Sequence, residues 1–174
     1  MKVLLIGDTH IPEKADDFPE EFAEEAANCD LVICTGDLTE GRVLDRLFEL
    51  AEVRIVCGEE DYIDLPEQDL VMVEGMKFGV IHGHQLEHIK TGNKETRAGK
   101  DEEGEIDELV EAAELVGADV LVTGHTHKPY RTEKDGVVLL NPGSATGAGS
   151  ENKTCMVVEV EGTDMADCRI LTSE

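Results

Sequence analysis

Short apolar runs that stop at a glycine recur through the first third of the chain. Residues 1–6 are rich in branched side chains and end at Gly7, which predicts a buried strand. Residues 19–28 place Phe22, Ala23, Ala26 and Ala27 at helical spacing, with acidic residues early, as suits a helix N-terminus. Residues 31–35 repeat the strand pattern and stop at Gly36-Asp37. Val43, Leu44, Leu47, Leu50 and Ala51 then mark an amphipathic helix, and residues 53–57 a third strand ending at Gly58. Strand, helix, strand, helix, strand favours a parallel sheet covered by helices.

The middle of the chain changes character. Residues 70–74 and 77–82 flank Gly75-Met76 and predict a hairpin. Residues 87–105 are polar and charged with no apolar period, and are expected to form a mobile loop. Helical spacing resumes over 106–116, and 119–123 is another apolar strand. Residues 130–132, 137–140, 154–160 and 167–171 read as strands joined by turns. No internal repeat or long linker divides the 174 residues, so one domain over 1–174 is expected.

Composition narrows the classes. Hydrophobic residues make up 40% and aromatics 3%, so the core rests on Val, Leu, Ile and Ala. No apolar run nears the roughly 20 residues that span a bilayer. The first apolar run is too short for a signal peptide, so a cytoplasmic protein is expected. Five cysteines without paired spacing argue against a disulfide framework or a structural zinc knuckle; Cys34 and Cys57 read as small core residues. The formal charge of -25, from 40 acidic and 15 basic residues, repels long nucleic acid and anionic membranes. It also suggests adaptation to high salt, where charge repulsion is screened.

Candidate chemistry sits where strands finish. Asp8 and His10 follow the first strand, Asp37 the second, and Glu59 and Asp61 the third. His82 and His84 close the hairpin strand, and His125 and His127 follow the strand at Val120. Five of the 6 histidines lie in these segments. Each segment alone reads as an ordinary turn, but sites in open α/β sheets form outside the carboxyl ends of strands, where all five can converge. Carboxylates with imidazoles suit divalent ions of intermediate hardness, such as manganese, iron or zinc. Two ions about 3.5–4 Å apart would clamp the attacking and leaving oxygens of a phosphoryl displacement and acidify a bridging water.

Gly7-Asp8-Thr9-His10, Gly36-Asp37, Gly58-Glu59-Glu60-Asp61, His82-Gly83-His84 and Gly124-His125-Thr126-His127, in that order, resemble the calcineurin-like metallophosphoesterase superfamily. The likeness is closest to its small phosphodiesterase branch, which also contains the retromer sorting subunit, a scaffold that binds protein partners. It implies an α/β four-layer sandwich of two mixed β-sheets flanked by helices. It also implies two divalent metal ions, manganese foremost, with zinc, iron, nickel or magnesium as alternatives. Asp8, His10 and His127 would hold the first ion, His82 and His125 the second, and Asp37 would bridge both. The reaction implied is hydrolysis of a phosphodiester or phosphomonoester by a metal-bridging hydroxide, with a small phosphate ester as substrate.

Three places depart from the pattern. The family usually has Asn where this chain has Glu59, a longer, charged ligand for the second ion; the scaffold subunit has Asp there. Many members carry a His where Glu60 stands. Against these, the scaffold subunit has Asn at the bridging place, whereas Asp37 is kept here. His84 has two readings, a substrate contact in catalysis or a group that orients a neighbouring ligand. Asp61 is expected to orient His10, and Asn141, within Asn141-Pro142-Gly143-Ser144, to sit in a rigid loop facing the site. The alternative to an enzyme is a weakly active or inactive scaffold that binds a protein partner.

Overall fold

The structure, a computed structural model, describes residues 1–86, 102–150 and 152–173. The strands are β1 (Lys2–Ile6), β2 (Leu31–Cys34), β3 (Val53–Ile55), β4 (Gln68–Val73), β5 (Met76–Ile81), β6 (Val120–Val122), β7 (Tyr130–Lys134), β8 (Val137–Asn141), β9 (Lys153–Glu161) and β10 (Asp164–Ser173). The helices among the described residues are α1 (Glu20–Ala27), α2 (Gly41–Leu50) and α3 (Glu102–Val116).

Two five-stranded mixed sheets form, in the orders β10-β9-β1-β2-β3 and β4-β5-β6-β8-β7. β1, β2 and β3 run parallel in the first, and β5, β6 and β8 in the second. Alternation along the central strands explains the continuous apolar runs. Leu4 and Ile6 of β1 and Val32 and Cys34 of β2 face α1 and α2, in one buried cluster with Phe22, Ala26, Val43 and Leu47. The intervening Val3, Leu5, Leu31 and Ile33 face the second sheet and pack with Phe78, Val80, Val120 and Val122. On that sheet's far side, Ile81, Leu121 and Leu139 meet Val110 and Ala113 of α3. The layers are therefore helix, sheet, sheet, helix, as the resemblance implied.

Three expectations need correction. α3 begins at Glu102, so 102–105 belong to a helix; residues 87–101 lie outside the described residues. Its first turn is acidic and carries no apolar period, which hid it, although negative charge favours a helix N-terminus. The hairpin turns at Glu74-Gly75, one residue before Gly75-Met76, because Glu74 takes the left-handed conformation at φ 53° and frees Met76 to start β5. Cys34 is fully buried, but Cys57 is only half-buried, because it lies past the end of β3 in the loop that leads to Glu59.

The parallel strands deliver the site. Loops after β1, β2, β3, β5, β6 and β8 are tied to one another by backbone bonds: Asp8 N–H donates to Gly36 (2.9 Å), His10 N–H to Asp37 (3.0 Å), Gly124 N–H to His82 (2.9 Å) and Ala145 N–H to Gly7 (3.1 Å).

Candidate metal centre

Loops this short cannot aim several side chains at one point with ordinary backbone. Asp8, His10, Asp37, His125 and His127 all have positive φ, between 45° and 64°. That region disfavours side chains other than glycine, at order 1–3 kcal/mol each, so the packed surroundings must hold it. Two glycines make room. A side chain at Gly58 would run into the Asp37 carboxylate, and one at Gly124 would come within 2.7 Å of Asp8 Oδ2.

Three imidazoles are oriented alike. His10 Nδ1 faces Glu60 Oε2 at 2.8 Å, His82 Nδ1 donates to the Thr35 carbonyl at 2.7 Å, and His127 Nδ1 donates to the Ala148 carbonyl at 2.6 Å. With Nδ1 so committed, each ring turns Nε2 inward as a lone pair, the arrangement of metal-binding histidines. The two Nε2 atoms of His10 and His127 stand 3.1 Å apart. Asp37 Oδ2 lies 3.3 Å from His82 Nε2 and 3.7 Å from His10 Nε2. Asp8 Oδ1 lies 3.4 Å from His127 Nε2 and 4.0 Å from His82 Nε2.

Two groups of ligand atoms result, Asp8 with His10 and His127, and Asp8 with Asp37 and His82, each within 4.8 Å. Asp8 joins both, and Asp37 spans His82 and His10 through a single oxygen. His125 and Glu59 stand at the margin, paired with each other at 3.3 Å and outside the two tight groups.

The charges are poised for a cation. Burial alone would lower the His82 pKa, but the nearby Asp37 and Asp8 carboxylates raise it to about 9. Burial pushes Asp37 up, yet its contacts with His82, the Glu60 N–H and His10 hold the carboxyl below its ordinary value. His127 is raised by its bond to Asp8. A proton and a divalent ion thus compete for the same lone pairs. Asp8 Oδ2 and His82 Nε2 are buried without a hydrogen-bond partner, an arrangement that costs about 1–3 kcal/mol per atom and that a bound cation would relieve. The donor set therefore fits divalent metal ions.

Supporting residues fix this geometry. Against expectation, Glu60 and not Asp61 faces His10. Asp61 accepts the backbone N–H groups of Asp37, Leu38, Thr39 and Gly58 at 2.8–2.9 Å, joining the loops after β2 and β3. Asn141, fully buried, donates to the Gly124 carbonyl at 2.8 Å and accepts from Gly143 N–H at 2.8 Å, so it braces the His125 loop. Ser144 Oγ donates to the Asp8 carbonyl at 2.7 Å and accepts from Ala148 N–H at 2.8 Å. The parts of Glu60 and Ser144 were missed; a carboxylate or a serine in a turn gives no signal of where it points. His84 is half-buried, its ring 5.3 Å from His82, and its buried Nδ1 has no hydrogen-bond partner.

Metal-assisted phosphoester hydrolysis is what such a centre at the loop ends of a two-sheet α/β sandwich serves, and fold and site together define a metal-dependent phosphoesterase. Comparison with known proteins agrees. The family model described as "Calcineurin-like phosphoesterase superfamily domain" matches residues 1–163. A probable metallophosphoesterase of Methanocaldococcus jannaschii is 33% identical over 174 residues, all of this chain and 82% of the relative. Another, of Methanothermobacter thermautotrophicus, is 33% identical over 93% of this chain and 87% of the relative. Among solved structures, wild-type Vps29 of Entamoeba histolytica complexed with zinc is 30% identical with a TM-score of 0.78, covering 99% of this chain and 98% of that one. The chain belongs to the calcineurin-like phosphoesterase superfamily.

Proposed function

We propose that this protein hydrolyses a small phosphodiester or phosphomonoester with two divalent ions, manganese foremost. Asp8, His10 and His127 would hold one, and His82, His125 and Glu59 the other, with Asp37 shared by the two sets. The observation that carries this is Asp37 Oδ2, within 3.7 Å of the facing nitrogens of both His10 and His82. When bound, the ions supply Lewis acidity at the phosphoryl oxygens and an acidified water. The chain does the rest: Asp8 and Asp37 balance the positive charge, and Glu60 and the Thr35 and Ala148 carbonyls fix the imidazoles. His84 serves as the substrate contact. Burial and the nearby His82 hold its pKa below the ordinary value, so a neutral ring presents its N–H to a phosphoryl oxygen. Five free cysteines fit a reducing compartment such as the cytoplasm. No described helix is long and apolar enough to cross a membrane.

The test is hydrolysis of bis(p-nitrophenyl) phosphate with manganese, before and after chelation. Turnover that stops with chelator and returns with metal supports the reading. Absence of turnover in folded, metal-loaded protein favours the second reading, a scaffold that binds protein partners. The similarity to Vps29 motivates that reading, together with Glu59 and Glu60 at the places where many family members carry Asn and His.

A further inference from the structure

A cavity of about 600 Å³ opens beside the metal centre, between α3 and the ends of β5, β6 and β7. Gly83, Gly124 and His125 form its boundary with the centre. Its volume falls within the roughly 300–1,000 Å³ in which proteins hold small organic ligands. Away from the centre the wall is mainly apolar, built by Leu86, Ile106, Leu109 and the ring of Tyr130, with the acidic Glu105 and Glu108 also on the lining. The Thr123 and Tyr130 hydroxyls are set into that wall 3.2 Å apart. Lys128 stands exposed at the lining, next to His127, and makes no ion pair among the described residues, whereas Arg42, Arg46, Arg54, Lys134 and Arg169 each pair with a carboxylate.

We propose that this cavity is the subsite for the organic group of the phosphoester, and that it selects an uncharged, ring-bearing group of aryl to nucleoside size. The inference rests on the metal-dependent reading of the adjacent centre. A phosphoryl group held at His125 can direct its ester substituent past Gly83, which presents no side chain beside the His125 Cβ. The apolar wall rewards a ring and penalises a second phosphate, which would lose its hydration against Leu86, Ile106 and Leu109. Lys128 at the mouth attracts the phosphoryl anion on a protein whose net charge of -25 otherwise repels it.

Phosphonates that cannot be hydrolysed separate the two parts. Binding of methylphosphonate and phenylphosphonate to manganese-loaded protein is measured by calorimetry, for wild type, Leu109→Trp and Ile106→Trp. Phenylphosphonate is expected to bind wild type about tenfold more tightly, the gain from burying a phenyl-sized group. Filling the cavity with Trp should remove that advantage and leave methylphosphonate affinity unchanged, which also confirms that the variant is folded. Equal affinity of the two ligands for wild type, or an advantage that survives in both folded variants, overturns the cavity inference and leaves the metal centre standing. Failure of both ligands to bind wild type overturns the hydrolase reading and the subsite with it.

Discussion

At His10, His82 and His127 the Nδ1 is committed to an oxygen of a neighbouring loop, which leaves Nε2 as the atom that can hold a metal. For His10 that oxygen comes from Glu60, a residue with no part in the expected ligand set. Glu60→Ala should therefore lower metal affinity by about 10- to 100-fold, as loss of an orienting carboxylate does elsewhere. Titration against a competing chelator measures it, and unchanged affinity would contradict the orienting role. His82 sets the pH dependence. Its pKa is raised from 6.5 to about 9 in the folded protein. Its protonation thus stabilises the metal-free fold fully below pH 6.5, and that contribution fades as pH rises through 9. Metal must displace the same proton, so apparent metal affinity should rise with pH and level off above about 9, with proton release. Calorimetry in buffers of different ionisation heat reads this directly; binding without proton release would refute it.

Among the elements, the loop after β3 does more than its sequence discloses. Asp61 gathers four N–H groups from two loops, and Asp37 returns the contact by accepting from Glu60 N–H at 2.8 Å. Asp61→Ala should destabilise the fold by about 3 kcal/mol, because partly buried donors lose a charged acceptor. Denaturant melts test this, and a loss near zero would mean that water replaces the carboxylate. The loop also marks where the sequence stops being readable. Strands β1 and β2 are legible because both faces are buried, which leaves no polar position to blur the run. The candidate ligands Asp8, Asp37, His82, His125 and His127 are legible because strand ends concentrate them. Glu59-Glu60-Asp61 is not, since three adjacent carboxylates in irregular backbone carry no period to say which points where. The left-handed φ of Asp8, His10 and Asp37 is equally hidden, because it is imposed by packing between loops distant in sequence. The start of α3 was masked by its acidic first turn.

For the molecule as a whole, charge is the dominant feature. The balance of -25 is borne by a surface whose exposed ion pairs, such as Arg46 with Glu20 or Arg54 with Asp69, are each worth little. Salt that shortens the screening length from about 10 Å at 0.1 M to about 3 Å at 1 M should weaken the self-repulsion. The melting temperature should rise over that range of potassium chloride; a flat or falling trend would count against adaptation to salt. On a surface this acidic, a cation-loaded centre would be the place to which an anionic substrate can go. Metal content settles it most directly. After loading with manganese and gel filtration, elemental analysis of wild type should find about two ions per chain, the number two-metal hydrolytic sites hold. Asp37→Asn, which removes the charge between His10 and His82, should retain one or none while staying folded. Equal metal in both proteins, or none in the wild type, would contradict the centre.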